Sequence, residues 1–258
     1  MENRTAYTIK LEDSGDPNYL HRLMVGTPTT GLVRVEWVMA RYGQIIPMNW
    51  SKVEMFEFLS GYMPLRYTVD DAQNLIVGEA LKAKMEWLLL LEHDVILPPD
   101  AFVRLNKYMR DKTVPVVSGL YYYRSRPSEP LIFRGRGTGA FLDFELGDEV
   151  WCDGVPTGCL LIHSSILQTM WDESEEYQVG NRTARRVFHS PRDIWIDPET
   201  DSQMMLTGTS DLAWCARIIQ EDVFTKAGWS DYREKQYPFL VDTNIFCKHI
   251  DMDGTQYP

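Results

Sequence analysis

Residues 87–99 read Trp-Leu-Leu-Leu-Leu-Glu-His-Asp-Val-Ile-Leu-Pro-Pro. An unbroken apolar run meets Glu92-His93-Asp94, turns apolar again, and stops at two prolines. A short apolar run bounded by turn signals is a strand covered on both faces. In open α/β sheets the C-terminal ends of such strands open into the ligand crevice. Carboxylates at that point are either solvated loop groups or ligands for a cation. Residues two apart on an extended segment point the same way. Glu92 and Asp94 can therefore face one ligand while His93 faces away into a structural role.

Working outward, strand and helix patterns alternate. Residues 21–31 read as a first strand ending in a Gly/Thr/Pro loop. Residues 32–43 carry apolar Leu32, Val35, Val38, Met39 and Tyr42 at helical spacing, with Gly43 at the end. Residues 45–59 alternate partly and favour a strand. Thr68 and the acids that follow open a helix reaching the 87–91 strand, with Lys82 and Lys84 near its C-terminal end. Pro98 and Pro99 suit the first turn of a helix over 98–111. Further strands are expected at 114–122, 130–133, 140–144 and 149–152. A strand and then a helix are expected over 155–171, a helix over 209–229 capped by Thr209 or Ser210, and a closing strand over 239–251. Residues 172–208 show no clear period, which suits a functional loop or lid, and Arg182, Arg185 and Arg186 cluster there. The pattern predicts an α/β fold around a mostly parallel sheet whose second part is antiparallel.

Composition narrows the function. The 258 residues are 44% apolar and 24% charged, ordinary for a globular chain. The net charge is −11 and the pI about 4.9, against a duplex-binding surface. No apolar stretch approaches the ~20 residues of a membrane helix. The first twenty residues lack a basic segment followed by an apolar one, so a cytoplasmic location is expected. Cys152, Cys159, Cys215 and Cys247 form no C-x-x-C pair and are expected to be buried thiols. The two Asn-x-Thr sequences at Asn3 and Asn181 are expected to be chance without a secretory signal.

The segment Leu88–Leu105, "LLLLEHDVILPPDAFVRL", resembles the core of GT-A glycosyltransferases, especially the family-2-like group, where an apolar strand ends in a D-x-D signature before a Pro-Asp helix start. "MVGTPTTG" is similar to the first-strand nucleotide loop and "DDAQNLIVGEAL" to the helix that commonly reads A-R-N. "VPVVSGLYY" and "VPTGCLLIHSSIL" resemble the fourth-strand and acceptor-side segments. "TSDLAWCARI" resembles the x-E-D motif with the catalytic base, and "CKHID" the late strand with a metal-binding histidine. Three positions depart from the pattern: Glu92 stands for the first Asp of the signature, Gln73 for the Arg of A-R-N, and Ser210 for the Glu before Asp211.

The resemblance implies a single GT-A domain over 1–258, with a nucleotide-binding half (1–120) and an acceptor-side half (121–258) carrying a lid-like insert at 172–208. It implies a sugar transferase using a UDP- or GDP-sugar and an acceptor hydroxyl of unknown kind. Asp94 and His249 would ligate Mn²⁺ or Mg²⁺, with the imidazole favouring Mn²⁺. Glu92 would bind the ribose hydroxyls or a metal-bound water. Asp211 would be the general base of an inverting transfer. Thr27, Pro28 and Thr29 would contact the nucleotide base, and Asp71 and Gln73 the base or ribose. Arg134 and Arg136 would meet diphosphate or an anionic acceptor, or else lie on a solvated hairpin. Trp151, Thr157 and Gly158 would line the acceptor side, and one of Tyr121, Tyr122 and Tyr123 would stack on a ligand. A retaining transferase shares these features. A sugar-nucleotide pyrophosphorylase would need a basic residue in the first loop, which "GTPTTG" lacks. A non-catalytic sugar binder of the same fold would not need Asp94, Asp211 and His249 together.

Overall fold

The computed structural model describes residues 22–50, 55, 58, 61–135, 139–196 and 203–258. Strand β1 (Leu23–Gly26) leads through helix α1 (Val35–Tyr42) and helix α2 (Val69–Lys82) to strand β2 (Trp87–Leu91). The opening run thus forms the strand that its sequence predicts. All five of its residues are buried. Its alternation divides the interior: Leu88 and Leu90 enter one core, and Trp87, Leu89 and Leu91 enter the other.

Strand β3 (Val95–Ile96), helix α3 (Ala101–Asp111), strands β4 (Val116–Leu120), β5 (Glu149–Cys152) and β6 (Cys159–His163), and helix α4 (Ser164–Glu173) follow. After them come strands β7 (Glu176–Val179), β8 (Arg182–Arg185), β9 (Arg192–Ile196) and β10 (Gln203–Thr207), and helices α5 (Ser210–Gln220) and α6 (Val223–Lys226). Strands β11 (Phe239–Phe246), β12 (Lys248–Ile250) and β13 (Gln256–Tyr257) close the chain. The central sheet has six strands in the order β1-β2-β6-β4-β11-β5. Strands β1, β2, β4 and β11 run one way; β6 and β5 run antiparallel to their neighbours. The sheet is therefore mixed, parallel in most strand directions, with helices on both faces. One core packs Ile76, Val77 and Ala80 of α2 and Ile166, Leu167 and Met170 of α4 against the sheet. The other packs Trp37 of α1 and Phe102, Leu105 and Met109 of α3. No helix among the described residues is long and apolar enough to cross a membrane. The four cysteines are buried and free.

Local signals explain the elements nearest the crevice. Thr68 caps α2, its side chain accepting from the Asp71 amide, with Asp70 and Asp71 in the first turn and Lys82 in the last. Gly26 lets that helix close onto β1, since a Cβ there would lie 2.2 Å from Ile76 Cγ2. Strand β11 is irregular between Asp242 and Phe246. Beyond it the chain leaves the main sheet, and β12 pairs with both β3 and β13 in a small separate sheet.

Several expectations need correction: only isolated bridges at Pro130, Phe133 and Ala140 form where strands were expected over 130–133 and 140–144, and the helix expected over 209–229 is broken into α5 and α6. Helix α3 starts at Ala101, so Pro98 and Pro99 precede it; the Ala101 amide closes a turn onto the Pro98 carbonyl. The strand expected over 45–59 falls partly outside the described residues, and Met55 and Phe58 lie on helical turns. Helix α1 forms where the apolar spacing predicts it, but that stripe faces out: Val35 and Met39 are exposed, while Trp37 and Arg41 are buried. The inward side is set by the Trp37 indole, which donates to the Glu92 carbonyl at 2.8 Å, and by the Arg41 guanidinium, 4.2 Å from the Phe58 ring centre. The insert 172–208 is not structureless. It contains the antiparallel pairs β7–β8 and β9–β10, with 197–202 outside the described residues. Arg182 and Arg185 bond to the body of the fold, whereas Arg186 packs within the insert. Arg182 donates to the Tyr62 hydroxyl, Arg185 to the carbonyls of Trp171 and Asp172, and Arg186 lies 4.0 Å over the Tyr177 ring.

Candidate functional site

Glu92 leaves β2 into a tight turn. Its amide donates to the Gly158 carbonyl at 3.0 Å, and its own carbonyl accepts from Val95 and from the Trp37 indole. Asp94 stands two residues on, and its carbonyl accepts from the Ile250 amide at 2.9 Å. The β3–β12 pairing sets Val95 opposite His249. It therefore carries the histidine to the side of Asp94. One ligand atom each from Glu92, Asp94 and His249 lies within 4.8 Å of the other two.

The chemistry of this group fits a divalent cation. His249 Nδ1 bonds to the Tyr122 carbonyl, which makes it the donor nitrogen and leaves Nε2 with a free lone pair. Burial pushes the imidazole down to about 4, with the nearby Arg124 charge adding to the fall, so the ring is neutral at neutral pH. Asp94 Oδ2 pairs with Arg124, while its Oδ1 is buried with no hydrogen-bond partner. Arg124 also holds Asp251, at 3.1 Å. Burial pushes Glu92 up to about 7, the Asp211 charge adds to this, and the Thr157 hydroxyl and Arg124 oppose it. Two hard carboxylates and a neutral imidazole with an unpartnered carboxylate oxygen between them are a donor set suited to Mn²⁺ or Mg²⁺.

Two cavities open beside the cluster, of about 580 and 310 Å³. Glu92, Thr209 and Asp211 line both. The larger lobe is completed by Thr157, Ser190, Arg192 and Gly208; the smaller has an aromatic wall of Tyr121, Tyr123 and Phe133, with Arg124 and His249 at its edge. Asp211 stands in the first turn of α5, after Thr209 at the N-cap position. Burial raises its carboxyl, and hydrogen bonds from the Thr209 side chain and backbone amides, among them Leu212 at 2.8 Å, hold the rise in check. The two carboxylates at the junction of the lobes thus both resist ionisation, chiefly through burial.

The structure brings Glu92, Asp94, His249 and Asp211 together, sets Thr157, Tyr121 and Tyr123 in the cavity walls, and puts the remaining expected residues elsewhere. Thr27, Pro28 and Thr29 are buried beneath the loop and line neither cavity. Thr27 donates its amide to the Tyr62 carbonyl, Pro28 offers its carbonyl to His93, and Thr29 bonds to Gly31 and Arg66. His93 thus has the structural role expected of it. Asp71 is taken by the Tyr177 hydroxyl at 2.7 Å. Gln73 is fully buried, bonded to Thr157 and Ser210. Neither side chain lines the cavities. The Arg134 guanidinium lies over Phe141 at 3.9 Å and donates to the Trp151 carbonyl. Arg136 lies outside the described residues. Trp151 sits under the Lys235 ammonium, away from both lobes. Tyr121 is a core residue whose hydroxyl accepts from the Gly158 amide at 2.6 Å. Arg124 and Arg192 are cavity residues that the sequence did not single out. For Arg124 the available signal was its place just past β4, on the same sheet edge as Glu92.

No family model and no curated protein matches the chain. Among solved structures it is similar to A197 from STIV, at 12% identity and a TM-score of 0.52, over 92% of this chain and 93% of that one. It is also similar to CMP:2-keto-3-deoxy-manno-octonic acid synthetase complexed with CTP, at 10% identity, over 86% of this chain and 88% of that one, but at a TM-score of 0.28, too low to carry an argument. The first likeness is one of fold alone.

Proposed function

We propose that this protein is a metal-dependent glycosyltransferase of the GT-A type, moving a sugar from a nucleotide-diphosphate donor to an acceptor hydroxyl with inversion. The observation that carries the reading is the meeting of Glu92, Asp94 and His249 at the end of β2, with Asp211 across the same cleft. A divalent cation bound there supplies Lewis-acid neutralisation of the diphosphate charge. Asp94, His249 and one oxygen of Glu92 would hold it. Arg124 and Arg192 are cations within an acidic protein, placed at the walls where an anionic donor would lie. Asp211 takes the proton of the acceptor hydroxyl as that oxygen bonds to the anomeric carbon; the bond from carbon to diphosphate breaks, and its electron pair leaves with the diphosphate. A raised carboxyl is a better base near neutral pH than an ordinary aspartate. The aromatic wall of the smaller lobe offers the apolar face of a sugar a surface to pack on.

The experiment is donor turnover over a panel of UDP- and GDP-sugars, with Mn²⁺ and with EDTA. Turnover is expected only with the cation. Asp211→Asn keeps the shape and is expected to bind Mn²⁺ normally while losing ~10²–10⁴-fold in rate. Turnover in EDTA removes the metal from the mechanism, and a retained anomeric configuration of the product removes Asp211 as the base.

A further inference from the structure

Between the two carboxylates of the cleft runs a line of buried polar side chains. Ser210 Oγ lies 2.9 Å from Gln73 Oε1, Gln73 Nε2 lies 3.0 Å from Thr157 Oγ1, and Thr157 Oγ1 lies 3.2 Å from Glu92 Oε1. Ser210, Gln73 and Thr157 are all at least 95% buried. Chemistry sets the direction of every bond. An ionised Glu92 only accepts, so the single Thr157 proton goes to it. The Thr157 oxygen then accepts from the Gln73 amide nitrogen, and the amide oxygen accepts from Ser210. Within the line Ser210 makes one hydrogen bond, and Gln73 and Thr157 make two each, so each buried side chain has at least one partner.

Two consequences follow for the site. One oxygen of Glu92 is tied back to the wall, which favours one rotation of the carboxylate and leaves its other oxygen outside the line. The far end of the line is Ser210, the residue before Asp211. A strut from α2 therefore ties the carboxylate on the β2 side to the helix start on the other. An apolar side chain at 73 would pack in the same space without making either connection.

We propose that Thr157, Gln73 and Ser210 are positioning residues that hold the Glu92 carboxylate in the orientation a divalent cation requires and join it to the turn bearing Asp211. The inference rests on the metal-dependent reading above. Partners that orient metal ligands typically change metal affinity ~10–100-fold when removed. The test is titration of the full chain with Mn²⁺, free ion being read by electron paramagnetic resonance, with melting temperatures measured alongside. Thr157→Val removes the donor at constant shape and is expected to weaken Mn²⁺ binding by ~10–100-fold. Thr157→Ser keeps the hydroxyl and restores the affinity. Ser210→Ala acts three hydrogen bonds from Glu92 and is expected to weaken binding in the same direction; it also carries the test if Thr157→Val does not fold. A lower melting temperature with unchanged Mn²⁺ affinity in Thr157→Val and Ser210→Ala makes the line merely structural and overturns the proposal. A wild-type chain that binds no Mn²⁺ overturns the metal-dependent reading and this inference with it, which separates the two failures.

Discussion

Glu92→Gln should make the metal-free protein more stable at pH 8 while removing one carboxylate of the proposed cation site. The folded environment raises the Glu92 carboxyl from 4.5 to about 7, first by burial and then by the Asp211 charge. Below pH 4.5 folded and unfolded chains both hold the proton. Between pH 4.5 and about 7 the unfolded chain releases it while the folded chain keeps it, so stability falls as pH rises, and the loss is complete above about 7. At ~1.4 kcal/mol per tenfold change this is about 3 kcal/mol; water reaching the carboxyl through the cleft mouth reduces it to about 2 kcal/mol. Glutamine carries no charge, and its carbonyl still accepts from Thr157, so the variant escapes the penalty. Urea unfolding of both proteins in EDTA at pH 5, 6, 7 and 8 should show a gap that opens across this window and levels off at about 2 kcal/mol in favour of the variant. Adding Mn²⁺ at pH 8 should stabilise the wild type and shift the variant much less, because only binding to the folded state contributes. A gap that is constant from pH 5 to pH 8, or a variant less stable than the wild type at pH 8, would refute the reasoning.

Asp94→Asn should lower Mn²⁺ affinity at least tenfold by calorimetry, since it removes charge from the oxygen that has no protein partner; equal affinity would take Asp94 out of the cation site. Gly158→Ala places a Cβ 2.3 Å from the Tyr121 hydroxyl and 2.9 Å from Val95 Cγ2, and should cost about 1–3 kcal/mol in thermal or urea unfolding. Trp37→Phe removes the indole donor to the Glu92 carbonyl and should cost about 1–2 kcal/mol, with weaker Mn²⁺ binding as the turn loosens.

Much of the fold was legible because its signals are local. The short apolar run of 87–91, bounded by turn signals, reads as a strand covered on both sides. Thr68 with its following acids starts a helix, and a carboxylate pair just past a buried strand stands at the open end of a sheet. Periods and caps act within a few residues, so the sequence by itself determined the alternation of strands and helices, the buried cysteines, and the places of Glu92, Asp94 and Asp211. It also placed a helix over α1, but it did not determine which side faces in. That side depends on partners remote in the chain: the Glu92 carbonyl for Trp37 and the Phe58 ring for Arg41. The same limit applies to Asp71 and Gln73. The family resemblance marked both as ligand contacts, whereas Tyr177 occupies Asp71, and Thr157 and Ser210 occupy Gln73.

What only the tertiary structure decided is the convergence of the site. His249 reaches Asp94 because β11 breaks its register after Asp242 and β12 then pairs with β3. Those strands are three and two residues long. Segments so short carry almost no periodicity of their own, and their pairing is selected by the sheet and cores around them. The residues of the cluster are written in the sequence; the distance between them is a property of how far-separated strands choose their neighbours.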